Sequence, residues 1–126
     1  MQTYPLIDKQ GLHPIAFEIE NAYAGLRVIA RLLGQVNGVS DVRVRGLFSK
    51  WEDVHVWFKY MGHEYVVLEP FGDNSRYWIG PKDVSGNALD IGDIENVFKD
   101  YHPPLHREIF GDVLTLRLFK KHIGRV

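Results

Sequence analysis

The clearest pattern along the chain is an alternation of apolar and polar positions between residues 54 and 68. Val54, Val56, Phe58 and Tyr60 alternate with Asp53, His55, Trp57 and Lys59, and after Gly62 the chain returns through His63-Glu64-Tyr65-Val66-Val67-Leu68. A period of two is the signature of strands that bury one face. A two-residue turn at Met61-Gly62 sets Tyr60 opposite His63, Lys59 opposite Glu64 and Phe58 opposite Tyr65. That register gathers opposite charges on one face and aromatic rings on the other. Upstream, Val42, Val44 and Phe48 alternate with Arg43, Arg45 and Leu47, and downstream Arg76-Tyr77-Trp78-Ile79 reads as a fourth strand ended by Gly80-Pro81.

Helical spacing governs two other stretches. Ala22, Leu26, Ile29, Leu33 and Val36 form one apolar stripe, which predicts a helix over residues 21–34 capped by Asn21 and closed by a left-handed Gly34. Ile91, Ile94, Val97, Phe98 and Tyr101 predict a second helix over 91–101, with Asp90 as its cap and His102-Pro103-Pro104 as its stop. Ile15, Phe17 and Ile19 share one face of a short strand over 15–19. Residues 1–13, broken by Pro5 and Gly11, read as an irregular lead-in. In the last segment Leu114, Leu116 and Leu118 alternate like a strand, but Asp112 before them and Lys120-Lys121-His122 after them punctuate a helix, and 112–122 is assigned as helical.

The expected fold is therefore α+β: an antiparallel meander of four to five strands packed on one or two helices, followed by a C-terminal helical segment. With 126 residues and no linker or repeat, the chain reads as a single domain. Its 16 acidic side chains offset 15 basic ones, which argues against a general nucleic-acid or membrane coat. No run approaches the length of a membrane span and the N-terminus has no signal-peptide pattern, so a cytoplasmic location is the expectation. The absence of cysteine removes disulfides, thiolate metal sites and a cysteine nucleophile.

Chemistry is sparse. No nucleophile elbow, phosphate-cradling loop or dinucleotide fingerprint occurs, and no cofactor is expected. His102 and His106 have the spacing of two metal ligands on a helical turn, but the intervening prolines forbid that helix, so no metal site is assigned. The densest cluster of polar and aromatic groups is the stretch from Glu69 to Pro81. There Glu69, Asp73, Asn74, Arg76 and Trp78 form a candidate ligand- or partner-binding loop, with the planar fork of Arg76 suited to a carboxylate or phosphate. The conformational alternative is a tight hairpin in which Arg76 pairs with Glu69 or Asp73.

A second candidate surface is the outward face of the meander: Arg43, Arg45, His55, Trp57 and Lys59, with Val66 and Leu68 beside them. The order helix, three strands, helix resembles the double-stranded RNA-binding domain in topology. That resemblance implies a basic cluster at the start of the last helix, where this chain carries Asp90, Asp93 and Glu95 instead. Nucleic acid is accordingly a disfavoured partner. Trp57, Val66 and Leu68 make too large an apolar group to leave wet, so cover by the segment after Asp112 or by a second subunit is expected. The leading functional expectation is a non-enzymatic module that binds another protein or itself as a homodimer, in the manner of an adaptor or immunity-like protein. Behind it stand a small ligand binder or enzyme using the Glu69–Trp78 loop and a nucleic-acid binder using the Arg43/Arg45/Trp57/Lys59 face.

Overall fold

The structure, a computed structural model, describes residues 1–45, 54–69, 75–83 and 88–104. Within them lies a six-stranded antiparallel sheet. Its strands are β1 (Tyr4–Ile7), β2 (Pro14–Glu20), β3 (Val39–Val44), β4 (Val54–Tyr60), β5 (His63–Leu68) and β6 (Arg76–Pro81). Their spatial order is β1-β2-β6-β5-β4-β3, so the meander β3 to β6 is extended at its β6 side by the N-terminal hairpin. Two helices, α1 (Leu26–Gly34) and α2 (Gly92–Lys99), complete the α+β architecture. The segment 112–122 lies outside the described residues.

The β4–β5 hairpin has the register its residues predict: Tyr60 faces His63, Lys59 faces Glu64 and Phe58 faces Tyr65. Its turn is tight because Met61 and Gly62 both hold positive φ, 50° and 80°. This is the primed geometry that matches the strand twist. The Met61 N–H donates to the Gly38 carbonyl at 2.9 Å.

Both helices pack on the same face of the sheet. Ile29, Leu32 and Leu33 of α1 and Ile94 and Phe98 of α2 share one buried cluster with Phe17, Ile19, Val56, Phe58, Tyr65, Val67, Tyr77 and Ile79. Phe17 meets Phe98 edge-on at 5.3 Å between ring centres, and Phe58 meets Tyr65 at 5.6 Å. Aromatic pairs of this kind add to the burial of their area.

Four expectations change. The lead-in is not irregular: residues 4–7 form an edge strand, where Pro5 is tolerated. Helix α1 begins at Leu26 rather than near Asn21, with Gly25 as its N-cap. Asn21 instead donates its backbone N–H to the Ser75 carbonyl at 3.1 Å, which keeps the chain on the sheet beyond β2. The left-handed glycine after α1 is Gly38 (φ 93°), four residues beyond Gly34. Asp90 does serve the start of α2, but from one residue before the N-cap Ile91, accepting the Gly92 N–H at 2.8 Å. The N-terminal strand is tied to α2 by a 2.6 Å hydrogen bond from the Thr3 hydroxyl to buried Glu95. The Met1 ammonium adds bonds to the carbonyls of Phe98, Lys99 and Tyr101, as the negative end of a helix favours.

Candidate functional site

With both helices on one face, strand alternation assigns every second residue to the other, outer face. The ladder then sets those side chains in rows that cross the sheet. One row runs Tyr4, Glu18, Trp78, Leu68, Val54. The next runs Leu6, Ala16, Gly80, Val66, Trp57, Arg43. A third, at the end near the β4–β5 turn, runs Lys82, Glu64, Lys59.

The middle of this face is apolar and tightly built. Gly80 has a specific reason to be there: a Cβ at that position would stand 2.6 Å from Trp78 Cη2 and 2.8 Å from Ala16 Cβ. The Trp78 indole therefore lies across the bare backbone of β6 toward Ala16. Ala16 and Val66 are only 2% and 3% exposed, yet neither belongs to the core cluster on the helical side. Trp57 and Leu68 are half-buried beside them.

The flank toward β1 is polar and held in place. Arg76 Nη1 lies 3.1 Å from Glu18 Oε1, and its guanidinium sits 3.9 Å over the Tyr4 ring. The Tyr4 hydroxyl donates to Glu20 Oε1 at 2.7 Å. Burial and the acceptor on Glu20 push the Tyr4 phenol up to about 12. At the opposite flank Lys59 pairs with Asp41 (3.6 Å) and Lys82 with Glu64 (3.5 Å). Lys59 and Glu64 face each other across the ladder, but each forms its ion pair with the strand on its far side.

The candidate loop is thus not gathered into one site among the described residues. Arg76 is engaged by Glu18 and Tyr4, neither of which the sequence proposed as its partner. Glu69 is engaged by His55, whose Nε2 lies 2.8 Å from Glu69 Oε1. Trp78 lies on the outer face, on the same side of β6 as Arg76 as its two-residue offset requires. Asp73 and Asn74 lie outside the described residues.

Of the second set, Trp57, Lys59 and Arg43 do share the outer face, whereas His55 does not. The ladder slips between Val54 and Val56, and the bulge turns His55 to the helical side, where it is buried edge-on against Tyr77 at 5.7 Å. Its Nδ1 is buried without a hydrogen-bond partner. Arg45 follows β3, its N–H donating to the His55 carbonyl at 2.7 Å.

Two open hollows, about 480 and 540 Å³, lie among the described residues, the first bordering the Glu64–Lys82 end of the outer face. One is beside His63, Lys82 and Leu89 and the other beside His13, Asp90 and Glu95; neither includes Glu69, Arg76 or Trp78. Among the described residues no group of three histidines or carboxylates is placed to hold a metal ion, and no helix is long and apolar enough to cross a membrane. The chain matches no family model, no curated protein and no solved structure.

Proposed function

We propose that this chain is a protein-binding module and that the outer face of its sheet is the working surface. The observation that carries the reading is the layout of that face: an apolar centre in which the half-buried Trp57, Leu68 and Trp78 surround a buried Val66, flanked on both sides by charged residues. A desolvated aromatic centre inside a polar rim is the anatomy of protein–protein interfaces, and Trp, Tyr and Arg are the residue types that most often anchor them. Preorganisation favours the same reading. Trp78 is laid flat by Gly80, and Arg76 is steadied by Glu18 and Tyr4, so little side-chain freedom remains to be lost on association.

The test is affinity capture with the wild type, Trp57→Asp and Leu12→Asp, the last changing an exposed leucine in the β1–β2 loop. Circular dichroism first establishes that each variant is folded. Partners bound through the outer face are retained by the wild type and Leu12→Asp and lost at least about tenfold by Trp57→Asp. Equal retention by all three refutes the assignment of the surface.

A further inference from the structure

We propose that the partner of the outer face is a second copy of this chain, related by a two-fold axis that runs parallel to the strands between β4 and β5. This inference rests on the reading of that face as a protein-binding surface and names its occupant.

The order of charges across the sheet points to such a pairing. At the end near the β4–β5 turn, Asp41 from β3, Lys59 from β4, Glu64 from β5 and Lys82 following β6 stand side by side. Lys59 faces Glu64 in the ladder, the Lys82 N–H donates to the Glu64 carbonyl at 3.0 Å, and Asp41 lies 3.6 Å from the Lys59 ammonium. The signs across four strands are negative, positive, negative, positive. Their side chains are between 45% and 65% exposed, so all four present to solvent.

A row that alternates in this way is complementary to itself when reversed. A two-fold parallel to the strands keeps every residue at its height along the sheet and reverses the strand order. Lys59 then lies over Glu64 of the second copy, and Asp41 over Lys82 of the second copy, with both contacts repeated by symmetry. Strands about 4.8 Å apart make the row roughly 14 Å wide. The usual crossing of about 30° between packed sheets displaces its ends by only about 4 Å, within the sweep of a lysine side chain.

The apolar centre obeys the same operation. Trp57 and Val66 are opposite each other across the same axis, so Trp57 of each copy lies over β5 of the other, where Val66 is itself almost fully buried and Leu68 beside it is half-buried. Arg43, opposite Trp57 on β3, lies over Gly80 and therefore over the Trp78 ring that crosses it. Association through strand edges is opposed at both sides of the sheet. β3 is interrupted by a bulge at Asp41, whose φ is 54°, and β1 carries Pro5.

The experiment is sedimentation equilibrium of the wild type, of Lys59→Glu, of Glu64→Lys and of an equimolar mixture of the two variants, each shown by circular dichroism to be folded. Lys59→Glu sets two carboxylates against each other across the axis in its homodimer, and Glu64→Lys sets two ammonium groups. In the mixed pair every contact is again between opposite charges. The wild type is expected to dimerise, each variant alone to dimerise at least about tenfold more weakly, and the mixture to recover the wild-type association. A wild type that stays monomeric at about 100 μM overturns the proposal, as does a mixture that associates no better than its components. A monomeric wild type whose captured partner still depends on Trp57 defeats self-pairing alone. A monomeric wild type whose capture ignores Trp57→Asp defeats the surface as well.

Discussion

Replacing Gly80 with alanine tests the construction of the outer face at its tightest point. The added methyl would stand 2.6 and 2.7 Å from two carbons of the Trp78 ring and 2.8 Å from Ala16 Cβ. Carbon atoms do not approach so closely, so the indole must leave the strand or the strand must shift. Overpacking of this kind costs about 1–3 kcal/mol, against which the lower entropy of an unfolded alanine returns about 0.4–1 kcal/mol. The expected net loss is about 1–2 kcal/mol, or roughly 4–8 °C at the melting point of a chain this size. Urea denaturation followed by circular dichroism measures it, and a cycle with Trp78→Ala apportions it. With the ring removed, most of the clash is gone and Gly80→Ala becomes cheaper by about 1 kcal/mol. A Gly80→Ala chain as stable as the wild type, or one equally destabilised with and without the Trp78 ring, would refute this packing.

Three further outcomes follow from the same packing. Phe58→Ala, which removes a buried ring stacked near Tyr65, should cost about 3–5 kcal/mol, while Lys59→Ala at its exposed ion pair should cost under about 1 kcal/mol, both read by denaturant unfolding. Glu69→Ala leaves the buried Nε2 of His55 without its acceptor and should cost about 1–3 kcal/mol in the same assay; no loss would mean that the contact adds nothing. Because Tyr4 is raised to about 12 in the folded chain from 10.0 unfolded, its protonated form favours folding. The contribution is complete below pH 10 and lost as pH rises through 12. Alkaline unfolding of Tyr4→Phe should therefore be less pH-dependent than that of the wild type across that window, even though burial also raises Tyr60 and Tyr65.

What could be read from the sequence was decided by how local the determining contacts are. The β4–β5 hairpin was legible because a positive-φ pair, opposed charges and opposed rings all lie within fifteen residues and agree on one register. The meander β3 to β6 was legible for the same reason. The partners of Arg76 were not, because Glu18 lies 58 residues away on β2, and nothing local announces that β2 joins the sheet beside β6 rather than at its far edge. His55 was misassigned by strict alternation, since a single bulge exchanges faces and leaves no mark in the pattern of apolar residues. β1 was masked by Pro5, whose breaking effect holds for central strands and not for edges. The candidate surface shows the same division: Trp57 and Trp78 could each be named within the meander, but the flank of Glu18 and Tyr4 beside Arg76 depends on β1 and β2, distant in sequence, joining the sheet at β6.

The central claim, that the outer face is covered by protein when this chain associates, is tested most directly by oxidative footprinting of the native chain alone and in its complex. Oxidation is read separately at Trp57, Trp78 and Leu12, the last being 73% exposed in the β1–β2 loop. Labelling of Trp57 and Trp78 is expected to fall several-fold on association while that of Leu12 is unchanged. Protection of Leu12 with the two indoles labelled as before would contradict that claim.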